Sequence, residues 1–131
     1  GTGDEPLTVC QTITDAKAII VTTPQEVALA DVRKSINFCK TINIGIFGIV
    51  ENMSGFSCPH CNQPISLFGP GGGGEKTALL TQIESLGTIP FDLKMVVCGD
   101  IGTSFQKAYA DSEVAQAFAA IADKMIERRR V

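Results

Sequence analysis

Two apolar runs flanking one amphipathic segment constrain this chain more than any other feature. Ala18-Ile19-Ile20-Val21 is continuous and rich in β-branched residues, and residues 44–50 form a second run containing Gly45 and Gly48. Runs of this length without polar alternation belong to strands buried on both faces, as in a parallel sheet. Between them lies a helix-start signal: Thr23 as N-cap, Pro24 at the first helical position, and Glu26 three residues after the cap. Leu29, Val32, Ile36 and Cys39 come next at spacings of three and four, an apolar stripe reaching about Ile42. Strand, helix and strand with short links close as a right-handed βαβ unit. The expected fold is therefore α/β, a parallel sheet flanked by helices.

The remainder of the chain extends that pattern. A short helix is expected over 74–80, a third strand over 86–91 and a glycine-containing loop over 95–105. A last helix runs from Asp111 or Ser112 to about Arg129, with Val114, Phe118, Ile121 and Met125 facing the core. At 131 residues and 44% hydrophobic, the chain supports one domain with a core that needs no disulfide staples. A net charge of −3 argues against a nucleic-acid partner. The one basic cluster, Arg128-Arg129-Arg130, closes the last helix, where the macrodipole favours cations. No apolar stretch approaches the ~18 residues of a membrane span and no leader opens the sequence, so no membrane partner and a cytoplasmic location are expected.

Cys58-Pro59-His60-Cys61 lies in a loop between the second strand and a glycine run. Two thiols at this spacing can chelate one metal ion, hold one edge of an iron–sulfur cluster, or form a disulfide. Structural zinc and clusters both want four ligands, so two more donors must come from elsewhere. His60 reads as an exposed loop residue, because adjacent positions cannot all face one ion. An odd count of five cysteines without an export signal argues against a disulfide framework. Cys10, Cys39 and Cys98 read as small buried hydrophobes. A thioredoxin-type redox motif would sit at a helix N-terminus, whereas here Pro64 and the glycine run come next.

Residues 69–77, Gly-Pro-Gly-Gly-Gly-Gly-Glu-Lys-Thr, imitate a phosphate-binding loop. That loop needs its lysine directly after the last glycine, and Glu75 intervenes, placing a carboxylate where phosphate oxygens would sit. The glycines are better read as freedom for placing the cysteines. Asn52 and Asp92 each come just after a strand, where open α/β sheets bind ligands.

Several stretches together resemble the Mrp/ApbC-type iron–sulfur cluster carrier ATPases. They are Thr22-Thr23-Pro24-Gln25-Glu26 with the helix it opens, Gly48-Ile49-Val50-Glu51-Asn52-Met53-Ser54-Gly55-Phe56, the Cys58–Cys61 motif, Gly73-Gly74-Glu75-Lys76, Ile89-Pro90-Phe91-Asp92 and Gly99-Asp100-Ile101-Gly102. The resemblance covers essentially the whole chain. It implies a deviant-Walker P-loop fold and a homodimer joined through the cysteine loops. A 4Fe–4S cluster would be bridged by Cys58 and Cys61 of both subunits, with zinc as a possible substitute in a purely structural dimerisation module. Asn52, Pro90 and Asp92 correspond to adenine-contacting positions, and Gly1-Thr2-Gly3-Asp4 to the tail of the switch segment. The implied function is assembly of 4Fe–4S clusters and their transfer to apoproteins, gated by ATP and magnesium in the full-length form. On this reading residues 1–131 are the carboxyl-terminal half of one P-loop NTPase domain. Without the phosphate loop, its lysines and the magnesium-binding residues, this half alone is expected not to hydrolyse ATP. It is also expected to expose an edge strand and an apolar face.

Overall fold

The computed structural model describes residues 3–129. In order, the elements are α1 (Asp4–Thr12), β1 (Ala18–Thr22), α2 (Glu26–Thr41), β2 (Ile46–Ser57), β3 (Pro64–Ile65), α3 (Gly73–Thr81), β4 (Ser85–Phe91), α4 (Leu93–Ile101), α5 (Phe105–Ala108) and α6 (Glu113–Arg129). Strand β2 is central, running parallel to β1 on one side and to β4 on the other. The short β3 returns antiparallel against the far end of β2, pairing Phe56 with Ile65 and Ser57 with Pro64. The sheet is therefore mixed, with a parallel core of three strands and one antiparallel addition.

Burial on both faces explains the apolar run of β2, whereas β1, expected to be buried on both, is buried on one face only because no further layer covers Ile19 and Val21 among the described residues. Ile20 and Ile49 pack with Val32, Ile36 and Cys39 of α2 and Ala78 of α3 on one face. Val50, Leu86 and Ile89 pack with Val114, Ala115 and Ile121 of α6 on the other. The α2 stripe lies where its spacing predicts, with Leu29, Val32, Ile36 and Cys39 all buried.

The capping box does not form. Helix α2 begins at Glu26 with Gln25 in the N-cap position and no side-chain cap, while the Thr23 hydroxyl faces Gln25 Oε1 at 3.5 Å. The Leu29 N–H bonds the Gln25 carbonyl, so the helix starts two residues later than the signal suggests. Residues 95–105, expected as a loop, are largely helical. The Asp92 carboxylate accepts the Lys94 N–H at 2.8 Å and caps α4, which ends at Gly102 in the left-handed conformation. Gly99 is carried inside that helix, and Cys98 enters the core at 5% exposure.

In α6 the Ser112 hydroxyl accepts the Ala115 N–H at 3.2 Å, as its cap role requires. Val114 and Ile121 are buried and Met125 packs partly against them, but Phe118 is 42% exposed and Ala115 takes the core position instead. A methyl side chain lets the helix lie closer to β4 than a phenyl ring would. Arg128 and Arg129 lie in the last turn of α6, at the carbonyl end as expected. Arg128 also donates to the Phe47 carbonyl, lies 4.8 Å over the Phe47 ring and sits 3.1 Å from Glu84, tying α6 to the start of β2. Arg130 lies outside the described residues. On β1, Ile19 and Val21 are 38% and 59% exposed, and no described strand pairs along the outer edge. This is the open edge and apolar face expected of a half-sheet.

Candidate metal centre

Strand β2 continues through residue 57, seven positions beyond the apolar run, because β3 and β4 supply ladder partners for its polar end. The cysteine loop is thus the tip of a β2–β3 hairpin. Cys58 N–H donates to the Gln63 carbonyl at 3.0 Å and Asn62 N–H donates to the Cys58 carbonyl at 2.8 Å. Asn62 adopts φ 55°, a left-handed conformation that asparagine tolerates better than most residues. The Phe56 and Phe91 rings meet edge to face with centroids 5.7 Å apart, anchoring the hairpin root to the end of β4.

At this tip Cys58 is half-buried and Cys61 exposed, both as free thiols. The Cys58 sulfur accepts the backbone N–H of His60, then that of Cys61, then the Cys61 thiol, and these bonds hold its thiol below the usual cysteine range. His60 is exposed, as expected. No group of three or more His, Cys, Asp or Glu among the described residues could hold a metal ion. The turn thus presents two sulfur donors, and any centre of four ligands built on it takes its other donors from outside the described residues. The soft thiolate set suits zinc or an iron–sulfur cluster. Cys39 and Cys98 are buried as expected, whereas Cys10 is only half-buried. Burial, and after it the neighbouring Cys10, pushes the Cys39 thiol up.

Asn52, expected just after a strand, lies inside β2, which β3 and β4 prolong to Ser57; there it pairs with Ile89 of β4, beside Pro90. Asn52 Oδ1 accepts the Met53 N–H at 2.9 Å, and Asp92 is the α4 cap. Both polar side chains are thus engaged locally. Of the switch-like stretch, Gly1 and Thr2 lie outside the described residues, and Asp4 opens α1.

The residue that sequence reasoning missed is Glu51. It is 2% exposed in the middle of β2, and its carboxylate accepts the Gly72 N–H at 3.2 Å, the Gly74 N–H at 2.6 Å and the Ser54 hydroxyl at 2.5 Å. The glycine run does form an anion-binding nest at the N-terminus of α3, and the anion is internal. Glu75, expected to fill that space, faces solvent. Glycine is required at 74, where a Cβ would lie 2.9 Å from the Glu51 Cβ, and is favoured at 72, where φ is 74°. The available signal was a lone acid ending an apolar run, twenty residues before a glycine cluster.

Residues 1–126 match the ParA family described as NUBPL iron-transfer P-loop NTPase. The chain belongs to this family. It is 47% identical over 129 residues to the iron-sulfur cluster carrier protein of Methanocaldococcus jannaschii, covering 98% of this chain and 43% of that protein. It is 45% identical to the cytosolic Fe-S cluster assembly factor NUBP2 homolog of Trichoplax adhaerens, covering 96% and 48%. Among solved structures it resembles a nucleotide-binding protein of Archaeoglobus fulgidus in complex with ADP, with a TM-score of 0.65 and 41% identity over 78% of this chain and 42% of that one. The Pyrococcus furiosus cell division ATPase MinD shares the fold at a TM-score of 0.62. The chain spans a little under half the length of these relatives.

Proposed function

We propose that this chain is the cluster-bearing part of an iron–sulfur cluster carrier, with the cluster as its cargo. Cys58 and Cys61 bind one edge of a 4Fe–4S cluster, and the same pair on a second copy binds the opposite edge. The observation that carries this reading is the projecting hairpin tip, which offers two free thiols and lacks a third described donor. A two-fold axis through such a tip doubles the donors to the number a cluster takes. Hydrogen bonds to Cys58 favour the thiolate that ligation needs. The exposed turn leaves the cargo open to thiols of a recipient apoprotein.

In a protein of the relatives' full length, ATP with magnesium would gate loading and release. Asn52 of β2, with Pro90 and Asp92 at the end of β4, supplies the adenine-side edge. The glycine nest at the start of α3 is closed on Glu51 and so offers no cradle for a nucleotide phosphate. No helix among the described residues is long and apolar enough to cross a membrane, and a cytoplasmic location accords with the Trichoplax relative's name.

Anaerobic reconstitution with ferrous iron and sulfide tests the assignment. The expected product holds about four irons and four acid-labile sulfides per two chains, and Cys58→Ser and Cys61→Ser abolish its absorbance. Tight metal binding without labile sulfide would instead make the turn a zinc-bridged dimerisation module.

A further inference from the structure

A buried carboxylate costs several kcal/mol unless hydrogen bonds and charge compensate it, and an apolar residue would fill the same strand position more cheaply. Glu51 has no cationic partner among the described residues. Its compensation is the pair of amides at the start of α3, the dipole of that helix, and the hydroxyl of Ser54. What the carboxylate adds over an apolar side chain is direction.

Ser54 lies in an irregular part of β2. The ladder to β4 jumps from Asn52 opposite Ile89 to Phe56 opposite Phe91, and within the jump Met53 and Gly55 take φ 57° and 91°. A bulge of this kind bends a strand and re-aims the residues beyond it, and the cysteine turn lies just beyond this one. The bulge is held at its far end by the Phe56–Phe91 ring contact and in its middle by Ser54 on Glu51.

We propose that Glu51 is the positioning residue of the cysteine turn: clamped by the Gly72 and Gly74 amides, it holds Ser54 and with it the bulge that aims Cys58 and Cys61. The glycine run, the bulge and the thiol pair then move as one unit. This rests on the reading of Cys58 and Cys61 as a working pair, and the test separates the two claims.

The test reads thiol geometry without any metal. The full chain is equilibrated with oxidised and reduced glutathione, and the Cys58–Cys61 peptide is monitored by mass spectrometry. The two thiols lose two electrons and two protons as the S–S bond forms, and oxidised glutathione is reduced to two thiols. Ser54→Ala, Glu51→Gln and the double variant are compared with Thr81→Ala, which removes an α3 hydrogen bond to Thr77 and leaves the clamp intact. Folding of each is confirmed by circular dichroism.

Both clamp variants are expected to shift the disulfide constant by about 10-fold, the size of one lost hydrogen bond. The double variant should do little more than Glu51→Gln alone, and Thr81→Ala should leave the constant unchanged. A folded Ser54→Ala protein with the unaltered constant overturns the proposal, even if Glu51→Gln fails to fold. A wild-type chain that takes up no cluster overturns the carrier function instead, and leaves the glutathione result standing on its own.

Discussion

Cys39 and Cys58 carry the same thiol and differ in everything that governs its chemistry. Cys39 is 7% exposed on the core face of α2, and burial pushes its pKa above the ordinary 9.0. Cys58 projects at a hairpin tip with donors around its sulfur. A short iodoacetamide pulse at neutral pH should therefore label Cys58 and Cys61 first, leaving Cys39 and Cys98 unmodified until denaturant is added; equal labelling across the four would contradict the burial described. The Cys39 shift also carries a sign for stability. The folded state keeps that proton to higher pH than the unfolded chain does, so stability falls as pH rises past 9.0. Denaturation curves on either side of that value should show the loss, and Cys39→Ala should flatten it. At this scale the sequence was legible where a pattern is local: the C-x-x-C spacing announces two thiols on one turn, and both are free there. Glu51 was not, because the amides that hold it lie 21 and 23 residues away, and nothing near Glu51 distinguishes a buried carboxylate from a turn acid.

Helix α2 and helix α4 show the same contrast between elements. The α2 stripe repeats the helical period over four apolar residues, so its buried face could be read before its ends. Its N-terminus could not, because the Thr23 hydroxyl faces the Gln25 side chain and the helix opens from Gln25. Helix α4 escaped notice because Gly99 and Gly102 punctuate an already short segment, and because most of its apolar residues are exposed and show no stripe against polar positions. Leu93, Val96, Val97 and Ile101 are all more than half exposed. Packing therefore gives α4 little, and its cap gives proportionately more. Asp92→Ala should destabilise the protein by about 1 kcal/mol, and Asp92→Asn should recover most of that. Urea melts of the two variants check this, and an Asp92→Ala protein as stable as the wild type would mean the cap contributes nothing. By contrast Ile36→Ala, at 1% exposure in the α2 core, should cost about 2–5 kcal/mol.

The whole molecule has two surfaces that invite company, and they lie on different parts of the sheet. One is the hairpin tip beyond β2, where the donor set is half of what a cluster needs. The other is the outer edge of β1, where no described strand pairs and Ile19 and Val21 are exposed. An exposed edge strand with apolar neighbours pairs with whatever strand is available, and the relatives carry roughly as much chain again as this one spans. Two self-associations are therefore expected, with opposite genetics. Association through β1 requires no metal, grows with protein concentration, survives Cys58→Ser, and is suppressed by Val21→Lys, which places a charge on the open face. Association through the cysteine turn requires iron and sulfide, is lost in Cys58→Ser, and survives Val21→Lys. Sedimentation velocity on the apo and reconstituted forms of each variant resolves the two. If Val21→Lys also abolishes the cluster-dependent species, the two surfaces are one interface, and the cluster would be held by chains that meet edge to edge rather than tip to tip.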